Sequence, residues 1–212
     1  MTEGRFITFE GGEGAGKSTQ LAWLAARLEA AGLDVVTTRE PGGAPAAEEI
    51  RRLLVFGETG RWRPETEMLL HYAARMEHVA EVVRPALAAG RWVVCDRFHD
   101  STRAYQGYGH GLDLQAIGRL HDLLLDGFGP DLTLILDLPV DVGLARTHGR
   151  GGAEDRYERM GRAFHERLRA GFLEIAAAEP ARCAVIDATN DEDAVHAAVL
   201  ACVRDRLSVA LD

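Results

Sequence analysis

Short apolar runs alternate with longer amphipathic segments along most of the chain. The short runs have the length and composition of buried β-strands. The five predicted strands are 5–10, 34–38, 92–95, 132–138 and 183–186. The longer segments repeat apolar residues at helical spacing. The predicted helices are 17–31, 46–55, 65–89, 113–125, 140–147, 156–178 and 192–207. Pro85 is expected to kink the long third helix.

Strands separated by helices predict a parallel sheet, because parallel neighbours need a crossover connection. We therefore expect an α/β fold with a five-stranded parallel sheet and helices on both faces, built as a single domain over 1–212. A glycine-rich segment with several arginines predicts a short lid at about 148–158. Ligands on such sheets bind beyond the carboxyl ends of the strands. The loops after Glu10, Thr38, Cys95 and Leu138 are therefore the expected location of the site.

The composition excludes several classes of protein. A net charge of −9 disfavours nucleic acid as a partner, because binding to a phosphate backbone needs a basic face. No long apolar run is present, and the amino terminus has no basic region leading into an apolar stretch, so we expect neither a membrane span nor a secretory signal. Three widely spaced cysteines fit a reducing compartment, which favours a cytoplasmic protein.

Residues 11–18 read GGEGAGKS and match the phosphate-loop pattern G-x-x-x-x-G-K-[ST]. Backbone N–H groups of such a loop surround phosphate oxygens, and the helix that follows adds its positive end. Lys17 is expected to reach the β- and γ-phosphates of a nucleoside triphosphate, and the Ser18 hydroxyl to ligate Mg²⁺. The loop residues expected to bind this nucleotide are Gly11, Gly12, Glu13, Gly14, Ala15, Gly16, Lys17, Ser18 and Thr19.

Lysine is almost absent from the chain, since Lys17 is the only lysine among 24 basic residues. Arginine and lysine differ in hydrogen-bond geometry, so one retained lysine indicates that a compact ammonium is needed there. The guanine-reading pattern N-K-x-D would require a second lysine, which argues against a common GTPase. A kinase for a small phosphate acceptor is the leading class, and a nucleotide-binding regulatory protein is the alternative from another class.

Charged residues follow the predicted strands where a second substrate would bind. Asp96 and Arg97 directly follow the third strand, and a carboxylate there can hold Mg²⁺ near the phosphate loop. Arg39 and Arg75 are candidate anion clamps, because arginine binds phosphate with two parallel hydrogen bonds. In the predicted lid, Asp155 and Glu158 could orient the arginines. Those arginines are Arg146, Arg150 and Arg156.

The chain resembles the bacterial thymidylate kinases over about 6–188. The resemblance is carried by the phosphate loop, TREPGG at 38–43, YAAR at 72–75, DRFHDSTRAYQG at 96–107 and PDLTLILDLP at 130–139. It implies a three-layer P-loop nucleoside monophosphate kinase fold. It also implies transfer of the γ-phosphoryl group of ATP to dTMP, with Mg²⁺ as cofactor and a homodimer as the assembly.

The resemblance also implies roles for individual residues of the acceptor site. Glu13 would contact the sugar 3′-hydroxyl, and Arg39 and Arg97 would bind the acceptor phosphate. Tyr105 would pack on the sugar and select deoxyribose, and Arg75 would hydrogen-bond the thymine base. The other residues implied around the base are His71, Ser101, Thr102 and Gln106.

The remaining implied roles concern the metal and the lid. Ser18 and Asp96 would serve the metal. Because the phosphate loop holds no arginine, the catalytic arginine would come from the lid. Arg150 is then the first candidate, with Arg156 the second and Arg146 placed against adenine. The implied catalytic set is Glu13, Lys17, Asp96, Arg97 and Arg150.

Two positions depart from the family pattern. His71 stands where the family usually has a phenylalanine stacked on thymine, and His110 stands between Gly109 and Gly111 where a basic residue is common. A neutral imidazole can stack, but a charged one would change base preference. A kinase for another monophosphate, such as dUMP or a modified pyrimidine, therefore stays an alternative.

Overall fold

The structure is a computed structural model that describes residues 4–147 and 155–211. Its centre is a five-stranded parallel sheet with the strand order β2-β3-β1-β4-β5. The strands are β1 (Phe6–Glu10), β2 (Val35–Arg39), β3 (Trp92–Asp96), β4 (Leu132–Asp137) and β5 (Cys183–Asp187). All four pairings between neighbouring strands are parallel. The predicted fold class is confirmed.

Helices connect the strands. They are α1 (Lys17–Ala30), α2 (Pro45–Val55), α3 (Pro64–His78), α4 (Arg84–Ala88), α5 (His99–Thr102), α6 (Leu114–Leu125), α7 (Val140–Thr147), α8 (Arg162–Ala178) and α9 (Glu192–Leu207). Two π-helical segments continue α3 and α5, at Val79–Val83 and Arg103–Gly109. The first of these segments lies just before Pro85. Proline lacks an N–H, and its ring clashes with the preceding turn of a helix. The kink predicted for the long helix is therefore seen as one wider, π-helical turn.

Alternate residues of β1 face the two sides of the sheet. Ile7 and Phe9 pack in a core with α1 and α9, and Phe6 packs on the other face with Phe98. A further core on the side of α8 includes Ile135 of β4. The sheet is therefore covered on both faces, as its apolar strands predict. No helix within 4–147 and 155–211 is long and apolar enough to cross a bilayer.

One predicted boundary was wrong, and one helical stretch was missed. The helix predicted over 156–178 begins at Arg162, and the residues before it form turns. Arg156 is buried, and its hydrogen bonds to the carbonyl oxygens of Glu58 and Leu54 keep this segment from forming a helix. The helical stretch over 99–109 was not predicted, because its glycines and polar residues show no apolar helical period.

Candidate active site

The phosphate loop has the predicted context, with β1 before it and α1 after it. Gly11 and Gly14 have positive φ of 130° and 70°, and a Cβ at either position would collide with a backbone carbonyl oxygen, of Leu136 or of Gly143. Lys17 crosses its own loop, where Nζ donates to the carbonyl oxygens of Gly11 (3.2 Å) and Gly12 (2.8 Å). Burial, followed by the charge of Arg97, lowers the pKa of Lys17 although nearby carboxylates oppose the change.

Ser18 and Asp96 meet beside this loop. Ser18 Oγ donates to Asp96 Oδ2 at 3.0 Å, and Asp96 Oδ1 is buried with no hydrogen-bond partner in the described part of the chain. A hydroxyl and a carboxylate are the hard oxygen ligands that Mg²⁺ prefers. These residues therefore fit the implied metal, because one oxygen of the Asp96 carboxylate has no hydrogen-bond partner within 4–147 and 155–211.

A cavity of about 150 Å³ opens next to the phosphate loop. Cavities of roughly this volume accommodate a six-membered ring. Nine residues predicted for the site line it: Glu13, Arg39, His71, Arg75, Asp96, Arg97, Ser101, Tyr105 and Gln106. Thr102 does not line it but lies behind Arg75, whose guanidinium donates to Thr102 Oγ1 at 3.0 Å.

Arg97 and Glu13 form the end of this cavity nearest the phosphate loop. Arg97 Nη2 donates to Glu13 Oε1 at 3.1 Å, and Arg97 Nη1 donates to the carbonyl oxygen of Gly11 at 3.0 Å. The guanidinium lies over the Tyr105 ring at 5.0 Å, and the Tyr105 hydroxyl donates to Glu13 Oε1 at 2.5 Å. Burial alone would raise the pKa of Glu13, but Arg97, Lys17 and the Tyr105 hydrogen bond outweigh it and lower the pKa to about 2.

Arg39 lies at the mouth of the cavity, and its side chain is 53% exposed. Its Nη2 donates to both carboxylate oxygens of Glu48 at 3.1 Å. The same carboxylate accepts from the backbone N–H of Gly43 at 2.9 Å. Arg39 is thus held near the site by an exposed ion pair, which an incoming anion can replace.

Two residues that line the cavity, Arg75 and Gln106, each carry a buried polar atom without a hydrogen-bond partner among the described residues. Arg75 is 2% exposed, and its Nε donates to Glu40 Oε2 at 2.7 Å while Nη2 donates to the Phe98 carbonyl oxygen at 3.1 Å. Arg75 Nη1 is buried without a partner among the described residues. Gln106 Nε2 donates to Glu67 at 2.7 Å, which leaves its Oε1 without a partner in the same residues.

His71 lies on the cavity wall, where its Nε2 and the Tyr157 hydroxyl share a hydrogen bond of 2.9 Å. Burial and then the charges of Arg75 and Arg156 lower the pKa of His71 to about 3. The imidazole is therefore neutral at physiological pH, which is the form that can stack on a base.

The structure describes some of the residues predicted for the lid and its flanks, but not all of them. Arg150 lies outside the described residues. Arg146 is exposed and its Nη1 approaches the Gly14 carbonyl oxygen at 3.5 Å, so it lies beside the phosphate loop. Asp155 accepts from Arg159 at 3.1 Å, and its predicted role of orienting the lid arginines stays a prediction, because Arg150 lies outside the described residues.

Arg156, the second candidate for the catalytic arginine, does not have a guanidinium free to meet a substrate in this structure. It is fully buried and donates to the carbonyl oxygens of Leu54 (3.0 Å), Glu58 (3.0 Å) and Thr59 (3.1 Å) and to the Glu67 carboxylate. Its guanidinium is bound by the chain itself, so in this structure it attaches the end of the predicted lid segment to α2, to α3 and to the loop between them.

Several residues at the site were not singled out from the sequence. Tyr157 lines the cavity, and Glu10, Glu40 and Glu67 hold residues that line it. Glu40 lies inside the TREPGG motif, which could have drawn attention to it. The role of Glu67 carried no local signal, because its partners Gln106 and Arg156 are far away in the sequence.

A parallel sheet with a phosphate loop after β1, a carboxylate at the end of β3 and an arginine-lined cavity beside them defines a P-loop nucleoside monophosphate kinase. The family model for thymidylate kinase matches residues 9–199. The chain is 60% identical to thymidylate kinase of Caulobacter vibrioides over 209 residues, which covers 99% of this chain and 100% of that one. The chain belongs to the thymidylate kinase family.

Two further comparisons agree. Thymidylate kinase of Ruegeria pomeroyi is 51% identical over 205 residues, with 97% of each chain covered. The crystal structure of thymidylate kinase from Ehrlichia chaffeensis has a TM-score of 0.76 and 38% identity, and the match covers 94% of this chain and 98% of that one. The similarity therefore extends over nearly the whole chain, in sequence and in fold.

Proposed function

We propose that this chain transfers the γ-phosphoryl group of ATP to the phosphate of dTMP, giving dTDP and ADP for dTTP synthesis. The observation that carries the proposal is a cavity that meets the phosphate loop at Arg97 and Glu13 and is also lined by Arg75 and Gln106, which each carry a buried polar atom without a partner among the described residues. A nucleoside monophosphate fits this arrangement with its phosphate toward the loop and its base at the far end.

The base end complements thymine or uracil. Arg75 Nη1 donates to a carbonyl oxygen such as O4, and Gln106 Oε1 accepts from N3–H. Cytosine reverses both groups, with an amino donor at C4 and an acceptor at N3. A site whose buried polar groups are left unpaired by the wrong substrate rejects it by a large factor, on the order of 10⁴.

The sugar would lie between these two ends. Glu13 remains ionised at neutral pH, so it can accept a hydrogen bond from the 3′-hydroxyl. Tyr105 is held by its hydrogen bond to Glu13 and by the Arg97 guanidinium above its ring. That fixed position would close the space a 2′-hydroxyl needs, so we propose that Tyr105 selects deoxyribose.

Catalysis in this proposal is positioning and charge neutralisation. The acceptor phosphate is already an anion, so no general base is required. Lys17 leaves its own loop carbonyls to bind the β- and γ-phosphates, and Arg97 with Arg39 aligns the acceptor phosphate. Bound Mg²⁺, held by Ser18 and Asp96, would supply positive charge to the ATP phosphates. From the family resemblance, Arg150 is the proposed catalytic arginine and Arg146 the proposed adenine contact.

A side-by-side measurement of turnover on dTMP, dUMP, dCMP and dGMP tests the substrate. We expect dTMP to be the best acceptor and dCMP to be nearly inert. Because His71 replaces the family's usual phenylalanine, dUMP is the informative competitor. A preference for dUMP over dTMP would reject dTMP as the substrate, and no ATP consumption with any acceptor would reject the kinase activity itself.

We also propose that the chain acts as a cytoplasmic homodimer. Large apolar side chains are exposed on α3 (Leu69 and Met76) and on α6 (Leu123, 80% exposed). A second copy covering this surface would remove it from water. The cysteines of the chain are free thiols, which suits a reducing compartment. Light scattering on wild type and Leu123→Glu tests the dimer, since the charge should favour the monomer.

A further inference from the structure

Glu10 is a buried carboxylate at the end of β1 that does not line the acceptor cavity. Its Oε1 accepts from the backbone N–H groups of Phe98 (2.8 Å) and Ser101 (3.2 Å). Its Oε2 accepts from Ser101 Oγ at 2.5 Å. One carboxylate therefore accepts from Phe98, in the turn that joins β3 to α5, and from Ser101, inside α5.

That turn contains the residue that would bind the acceptor phosphate. Arg97 has φ of 71°, a left-handed conformation that a non-glycine residue rarely adopts unless its surroundings hold it there. Its backbone N–H donates to the Phe9 carbonyl oxygen at 2.9 Å, and its Nη1 donates to Ser101 Oγ at 3.3 Å. The hydroxyl that bonds Glu10 thus also supports the Arg97 guanidinium.

We infer that Glu10 is a positioning residue for the acceptor phosphate, because its reach to Phe98 and Ser101 holds the turn that aims Arg97 into the cavity. It does not touch the substrate, and it acts through the shape of residues 97–101. This inference rests on the proposed function, since it assigns Arg97 to the acceptor rather than to ATP.

The protonation of Glu10 agrees with a role that depends on length more than on charge. Burial, with the charge of Asp100, raises the pKa of Glu10 to about 7, although Arg97 and the hydrogen bonds from Ser101 and Phe98 oppose the rise. Near neutral pH the group is partly protonated. A neutral side chain of equal length that keeps one oxygen on the two backbone N–H groups should then serve almost as well.

Two substitutions separate reach from charge. Glu10→Asp keeps the charge but shortens the side chain by one methylene, so it cannot reach all three donors. We expect the KM for dTMP to rise at least about 5-fold while the KM for ATP stays within about 2-fold. Glu10→Gln keeps the length and loses the charge, and its KM for dTMP should stay within about 3-fold of wild type.

Thr8→Val is the matched control, because Thr8 is a buried polar residue of the same strand whose hydroxyl bonds Thr133 at 2.9 Å. Both KM values should stay near wild type in this variant. Should Glu10→Asp fail to fold, Glu10→Met takes its place, since it keeps the length of the side chain, removes both acceptor oxygens and leaves the cavity lining unchanged, and the same rise is expected.

Three results would overturn the inference: a folded Glu10→Asp with an unchanged KM for dTMP, an equal rise in both KM values, or a Glu10→Gln as impaired as Glu10→Asp. An inactive wild type would instead reject the proposed function, so the two failures are distinguishable.

Discussion

Glu40 holds Arg75, the residue proposed to bind the base, and replacement of Glu40 by glutamine weakens this contact. Glu40 accepts from Arg75 Nε at 2.7 Å and from His78 Nδ1 at 2.9 Å, and the carboxylate is 3% exposed. In Glu40→Gln one of the two oxygens becomes an amino group. That group cannot accept the hydrogen bond that the lost oxygen accepted, while the remaining oxygen still accepts one. The buried guanidinium then loses its counter-charge while it keeps its bonds to Phe98 and Thr102.

Breaking a buried ion pair by removing one partner costs about 3–5 kcal/mol. Since glutamine keeps one acceptor oxygen, the lower end is expected here, a loss of about 3 kcal/mol in the free energy of unfolding. For a chain of 212 residues each kcal/mol lowers Tm by about 2–4 °C, so Tm should fall by roughly 6–12 °C. The KM for dTMP should also rise, because Arg75 is no longer fixed.

Asp34→Asn provides the matched control. Asp34 pairs with Arg91 at 3.0 Å, and its carboxylate is 68% exposed, so this variant removes the same charge from a pair that water screens. Its cost should stay below about 1 kcal/mol. Denaturant unfolding followed by circular dichroism measures both variants. Equal losses in the two would refute the reasoning that burial makes the Glu40–Arg75 pair important.

Three other predictions concern the phosphate loop and the cavity. Lys17→Ala should lose nearly all turnover with an unchanged circular dichroism spectrum, and a variant that keeps about a tenth of wild-type activity would contradict the role of Lys17. Glu13 has its pKa lowered to about 2 from 4.5, so its contribution to stability is present above pH 4.5 and is lost as the pH falls toward 2. Acid unfolding of Glu13→Gln should lack this component, and a curve that matches wild type would count against it. His71, with a pKa of about 3, should add no step near pH 6.5 to the pH profile of the KM for dTMP, and a wild-type step that His71→Phe removes would show otherwise.

The elements with local signals could be predicted from the sequence. The five strands are apolar runs bounded by turns, and the phosphate loop is a contiguous motif, so their positions were predicted to within one or two residues. The helical stretch over 99–109 could not be predicted in this way, because it begins where Glu10 accepts from Phe98 and Ser101. That interaction joins residues about ninety positions apart, and no window along the chain contains both.

The candidate site was predicted in the same uneven manner. Residues that line the cavity follow recognisable motifs, whereas the partners that orient them come from elsewhere in the chain. Arg75 belongs to YAAR, but its partner Glu40 lies 35 residues earlier. Arg156 was placed in the lid by its neighbours in sequence, and its burial against Glu67 depends on a contact across 89 residues. Tertiary packing therefore decided the function of charges that the local sequence left ambiguous.

Lys17 offers a way to label the phosphate loop chemically at one residue. Because it is the chain's only lysine, an amine-selective acylating reagent has one side-chain target, apart from the terminal amine. Burial and Arg97 lower the pKa of Lys17, which enlarges the fraction of uncharged, nucleophilic amine. Bound ATP would shield that nitrogen, so the mass added at a single residue reports occupancy of the donor site by footprinting.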